Sequence, residues 1–203
     1  MSWLRARSAQ LLWRKAVYWC VDLEATGLDP KKDRVLALAA VPVRDGVVRC
    51  SELLAVRVRA DPDSPWGGVE AHGLLPTDLE AASPLAGVLR RLDVCLRQGV
   101  LVLHGAHVDV PFLERSYRAC GIPWPRPPVV DTARLLQRMG HRLRWLGSEH
   151  VPLDLGSARE HLGLPAYPRH DAAWDAVATA ELLVVLAFRL RARSLGDLVR
   201  WGR

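Results

Sequence analysis

The sequence predicts an α/β fold: a mixed β-sheet flanked by helices on both faces. Three observations lead there. A β-rich segment, Val17–Leu23, opens the body of the chain. Asp45-Gly46 separates two apolar runs, the two-residue signal of a hairpin. Beyond it, apolar runs of strand length alternate with segments of helical period. A hairpin added to an otherwise parallel sheet, with helices covering both faces, satisfies all three.

The elements follow in order. Val17–Leu23 runs directly into Asp22 and Glu24, and Val35–Val43 is a second strand. Val47–Val58 is its expected hairpin partner. Pro62, Pro65, Gly67, Gly68 and Gly73 mark a long loop. Ser83-Pro84 reads as an N-cap and first helical residue. Leu85, Val88, Leu89, Leu92 and Leu96 then recur at helical spacing until Gly99. Val100–Leu103 is a short strand ending at His104-Gly105, and Asp109 opens a helix that Gly121 closes. Val129-Val130 is a brief strand before Asp131, which precedes another helix. Leu153–Leu162 and Ala172–Arg193 are helical, and Ser194 caps a short terminal helix. This divides the chain into a basic, helical N-terminal extension (1–15), a main domain (16–193) and a short C-terminal extension (194–203).

Length and composition suit one domain. The chain has 203 residues, half of them hydrophobic, enough for a sizeable core. A formal net charge of +6 favours polyanionic partners. Arg5, Arg7, Arg14 and Lys15 concentrate charge in the first fifteen residues, with Trp3, Leu4, Leu11 and Leu12 as the apolar side of the expected helix. Cys20, Cys50, Cys95 and Cys120 are scattered without CxxC or zinc spacing, so reduced and mostly buried thiols are expected. Polar residues interrupt every apolar run near the N-terminus, and no run reaches membrane-spanning length. A soluble, cytoplasmic protein with no membrane partner is expected.

The acidic residues carry the chemistry. Asp22 and Glu24 stand two apart on a predicted strand and so share a face. Their repulsion is relieved by a divalent cation, and an all-oxygen donor set suits magnesium or manganese. Read alone, the pair is equally two exposed acids on an edge strand. Asp109 alone reads as a helix N-cap. His170 and Asp175 are five apart, too far round an ideal helix to share a face. They converge if His170 lies in the Pro168-containing loop and Asp175 in the second turn of the following helix. Read alone, His170 is a solvated loop histidine.

Together these segments resemble the DEDDh (DnaQ-like) 3′–5′ exonuclease family, which includes the proofreading subunit of bacterial replicative polymerase. Val21-Asp-Leu-Glu-Ala-Thr-Gly27 is similar to the first family motif, D-x-E-[TA]-[TS]-G. Leu103-His-Gly-Ala-His-Val-Asp109, with Phe112-Leu113, resembles the second, H-N-A-x-F-D-x-x-F-L. His170-Asp-Ala-Ala-Trp-Asp175 resembles the third, H-x-A-x-x-D. Ala71-His-Gly-Leu74 followed by Asp78 resembles an H-G-[IL] loop. The likeness spans about residues 16–190.

The resemblance implies a ribonuclease H-like fold and two Mg2+ or Mn2+ ions held by Asp22, Glu24, Asp109 and Asp175. It implies His170 as general base, since histidine exchanges protons near neutral pH. Ala25, Thr26, Gly27, His72 and His104 become candidates for substrate contact, with His107 a further one. Asp131 is the rival carboxylate, expected to support or cap. Gly105 and Val108 depart from the family's usual Asn and Phe. The implied activity is hydrolysis of single-stranded or frayed DNA 3′ ends to nucleoside 5′-monophosphates, in proofreading or repair, with a DNA polymerase as a further implied partner. The alternatives are an RNA or oligoribonucleotide exonuclease, and a weakly active nucleic-acid-binding or polymerase-associated module.

Overall fold

The computed structural model describes residues 10–59, 73–144, 151–168 and 170–203. His72 and most of the basic N-terminal segment lie outside these residues. The sheet comprises β1 (Tyr18–Ala25), β2 (Val35–Arg44), β3 (Val47–Val48), β4 (Leu54–Arg57), β5 (Val100–Leu103) and β6 (Val129–Asp131). Its order is β3-β2-β1-β5-β6, with β4 also pairing to β2. β2 runs antiparallel to β1, β3 and β4, whereas β5 and β6 continue the sheet in parallel. The expected mixed sheet is therefore present.

The helices are α1 (Pro76–Leu79), α2 (Leu85–Leu96), α3 (Ala106–Ala119), α4 (Thr132–Arg144), α5 (Leu155–His161), α6 (Ala172–Arg189) and α7 (Leu195–Trp201). They divide between the two faces because strand residues alternate. Trp19, Val21, Leu101 and Leu103 pack with α2 and α3 residues such as Leu89, Leu92 and Leu113. Tyr18, Cys20, Val100 and Val102 point the other way, to α4, α6 and α7. Asp22 and Glu24 continue this second set. Ala37 and Ala39 of β2 stand opposite them in register and are buried with Ala172, Ala176 and Ala180 of α6. Small residues on both sides let α6 lie close to the strands that carry the acids.

Four expectations need correction. Val47–Val58 is not one strand: the polar triplet Cys50–Glu52 forms a 3-10 turn, and Glu52 turns back to pair with Arg44 at 3.2 Å. α3 begins at Ala106 rather than Asp109, because Gly105 takes a left-handed conformation (φ +95°) and supplies the break. Of the four free cysteines only Cys20 is buried, and Cys50 is exposed. Residues 10–15 form no α-helix; Trp13–Lys15 is a 3-10 turn whose Trp13 is buried in the core, while Leu11 and Leu12 are exposed. Leu12 bridges to Ser194, and Leu195 donates its N–H to the Leu11 carbonyl. The Gly202 carbonyl accepts the N–H of Asp131 at the end of β6. Both flanking segments, where described, thus pack as parts of the domain. Among the described residues, no helix is long and apolar enough to cross a membrane.

Candidate active site

β1 delivers Asp22 and Glu24 to the edge of the α6 face, and the first turn of α6 delivers Asp175. One carboxylate oxygen from each of the three lies within 4.8 Å of the others. Asp109, in the first turn of α3, completes the electrostatic cluster. Burial pushes the Asp22 carboxyl well above the usual carboxylate range, and the charges of Asp109, Asp175, Glu24 and Asp171 push it further. Burial, with Asp175 and Asp171, raises Glu24 to about 7. Burial, with Asp131 and Glu24, raises Asp109 to about 7. Three acids that resist ionising, set beside Asp175, form an oxygen-only donor set short of positive charge, and a hard divalent cation fits it.

The loop before α6 is built to turn sharply. Asp171 caps the helix, its Oδ1 accepting from the N–H groups of Ala173 and Trp174 at 2.9 and 3.2 Å. His170 adopts φ +59°, a left-handed conformation uncommon for a non-glycine residue. Its backbone N–H donates to Asp175 Oδ2 at 3.0 Å. The side chain is exposed and, with Asp175, lines a cleft of about 430 Å³ between α5 and the start of α6. Asp175 sits one turn earlier in the helix than the sequence suggests, and the loop geometry achieves the approach.

Asp109 is not the cap of its helix; Asp131 is. The buried Asp131 carboxylate accepts from Gly105 N and Ala106 N, each at 3.0 Å, and from Ala133 N at 2.9 Å. It ties the starts of α3 and α4 together and leaves Asp109 to face the cluster. Asp131→Ala should strip both helix starts of their acceptor. With about 0.5–2 kcal/mol per lost cap, and two caps lost, we expect Tm to fall by roughly 2–16 °C in a thermal melt. Asp131→Asn should fall less, since only Ala106 N would then face a donor. An unchanged Tm for the alanine variant would refute the capping role.

The remaining sequence candidates are tied into the scaffold. His104 Nδ1 meets the Thr132 hydroxyl and Nε2 the Leu153 carbonyl, both at 2.8 Å. Burial lowers its affinity for a proton. A neutral ring must carry its hydrogen on Nε2, because a carbonyl only accepts. Thr26, which follows Ala25 at the end of β1, is buried. Its hydroxyl donates to Asp33 Oδ1 at 3.1 Å and accepts from Arg34 N. A Cβ on Gly27 would lie 2.5 Å from Asp33 Oδ2. Thr26 and Gly27 thereby shape the loop after β1. His107 is exposed at the start of α3. Gly105 suits its left-handed backbone and gives its N–H to Asp131, so no side-chain amide is needed there. Sequence reasoning passed over Asp33, Arg159, Tyr167 and Trp174, whose roles arise from tertiary contacts that no local spacing marks.

Comparison with known proteins agrees with this architecture. The family profile described as Exonuclease matches residues 19–183. A DNA polymerase III subunit epsilon-like protein of Rhodobacter capsulatus is 31% identical over 182 residues, covering 89% of this chain and 25% of that protein. A PolC-type DNA polymerase III of Streptococcus thermophilus is 28% identical, covering 88% of this chain and 12% of that protein. The chain therefore spans a quarter or less of these curated relatives. Among solved structures, the zinc-bound E. coli ExoI–single-stranded DNA complex superposes with a TM-score of 0.76 at 18% identity, over 88% of this chain and 42% of that one. Exonuclease X in complex with 5′ overhanging duplex DNA gives 0.69 at 18% identity, over 92% and 99%. These likenesses show the ribonuclease H-like fold. The matched segment runs from β1 into α6 and contains all three acidic motifs, and the chain belongs to the exonuclease family, of the DnaQ-like type.

Proposed function

We propose that this domain is a metal-dependent 3′–5′ exonuclease that hydrolyses single-stranded or frayed DNA ends to nucleoside 5′-monophosphates, in proofreading or repair. The observation that carries the reading is the meeting of Asp22, Glu24 and Asp175 within 4.8 Å, from elements distant in sequence. Asp22, Glu24, Asp109 and Asp175 would hold two Mg2+ or Mn2+ ions. When bound, such ions supply positive charge against the oxygens of a scissile phosphate.

The chain's own residues do the rest. His170, on the exposed rim of the cleft, accepts the proton of the attacking water. Its backbone bond to Asp175 fixes the base relative to the acidic cluster. Asp131 holds α3 so that Asp109 faces Asp22. His104 joins the β5 end to the Leu153 carbonyl and serves as a brace rather than a substrate contact. Single-stranded DNA as substrate is supported by the ExoI complexes among the structural relatives. A polymerase partner is supported by the polymerase III names among the sequence relatives.

The test is digestion of matched 3′-end DNA and RNA strands with magnesium or manganese, products being identified by mass. Stepwise release of mononucleotides from the 3′ end, stopped by EDTA, is expected. Internal fragments would indicate an endonuclease, full activity in EDTA would remove the metal, and faster digestion of RNA would reassign the substrate.

A further inference from the structure

The first turn of α6 presents a side chain that neither the acidic cluster nor the core consumes. Trp174 immediately precedes Asp175 and is 43% exposed. Its ring lies against Tyr167, with centroids 4.9 Å apart and an interplanar angle of 32°. Behind Tyr167, the Arg159 guanidinium lies 4.7 Å from the phenol centroid. Arg159 is 3% exposed and held on both terminal nitrogens: Nη1 donates to the Ala178 carbonyl at 2.9 Å, and Nη2 to the Pro165 carbonyl at 2.9 Å and Glu181 Oε2 at 2.7 Å. The Tyr167 hydroxyl donates to Glu181 Oε1 at 3.0 Å.

These contacts form a column: an ion pair between buried Arg159 and half-buried Glu181, a phenol ring held by both a hydrogen bond and a cation–π contact, and an indole stacked against it. Tyr167 also lines the cleft shared by His170 and Asp175. The column therefore stands beside the acidic cluster with an aromatic surface turned to solvent. An immobilised aromatic surface next to a phosphodiester site is suited to a nucleobase. Every base has a π-face, so such a contact grips a strand without selecting its sequence.

We propose that Trp174 is a stacking platform for one nucleobase of the single strand whose scissile phosphate lies at the acidic cluster, and that Tyr167 and Arg159 position it. The proposal rests on the exonuclease reading above. Stacking of one base on an aromatic side chain corresponds to about tenfold or more in affinity.

The test measures binding of the full chain, with calcium in place of magnesium, to a labelled oligothymidylate with a non-hydrolysable 3′ end. A companion series carries one abasic nucleotide, moved stepwise along that end. W174A should weaken binding of the intact strand by about tenfold or more, and W174F should restore most of it. The wild type should lose affinity sharply at one abasic position, and there W174A and the wild type should bind alike. Equal affinities of W174A and wild type for the intact strand, or an abasic series with no distinguished position, would overturn the platform while leaving the exonuclease reading in place. A wild-type chain that neither binds nor degrades single strands would overturn both. Should W174A fold poorly, the wild-type abasic series decides the question.

Discussion

Replacing Asp22 by Asn should abolish hydrolysis and, in the same protein, raise the melting temperature in EDTA. The two effects share a cause. The ionised form of Asp22 is disfavoured, first by burial and then by the charges of Asp109, Asp175, Glu24 and Asp171. Asparagine keeps the shape and removes the charge. A folded-state pKa above the unfolded value means the folded protein binds more protons than the unfolded one, so stability falls as pH rises through that interval. For the metal-free protein the interval runs from about 4, the ordinary carboxylate range, to about 7 for Glu24 and Asp109. At neutral pH the wild type thus carries an electrostatic penalty that Asp22→Asn relieves. One pKa unit corresponds to about 1.4 kcal/mol, and a chain of this size gains about 2–4 °C per kcal/mol, so a rise of several degrees is expected. Calorimetry in EDTA at pH 5 and pH 7.5, beside a turnover assay in manganese, checks both halves. A Tm that drops by several degrees would show that Asp22 is a structural anchor instead.

His170→Ala should lower the single-turnover rate by about 10²–10⁴-fold, the usual contribution of a general base, with little change in Tm. The side chain is exposed, and the loop is held through backbone contacts, His170 N to Asp175 Oδ2 and the Asp171 cap, which alanine retains. A rate within a factor of a few of wild type, at saturating strand and metal, would take His170 out of the chemistry.

Much of this arrangement was legible before any coordinates. The α/β alternation, the Asp45-Gly46 hairpin and the period-2 placement of Asp22 and Glu24 depend on local chemistry, and local chemistry is what a sequence displays. Boundaries were less legible where a tertiary partner decides them. Asp109 reads as a cap because it precedes an apolar helical stretch, yet Asp131, twenty-odd residues later in the chain, reaches across to Gly105 and Ala106 and takes that role. His104 is legible as the residue that follows a short strand, but its bonds to Thr132 and Leu153 reach elements far along the chain that only folding brings to it. The column under Trp174 could not be read at all: Arg159 and Glu181 lie on different helices, and only the folded chain brings Tyr167 between them and the indole.

The close fit of Gly27 against Asp33 has a consequence for how this segment can vary. The backbone at Gly27 is not left-handed, so its constraint is the neighbouring carboxylate, 2.5–2.8 Å from where a Cβ would stand. That carboxylate accepts the Thr26 hydroxyl and the Asp29 N–H, so it cannot retreat without releasing the loop. The two positions are mutually locked. A larger residue at 27 becomes tolerable only after 33 has shortened, and a shortened 33 leaves the loop untied until something else holds it. A single substitution at either position thus strains or unties the loop, and a paired change can avoid both.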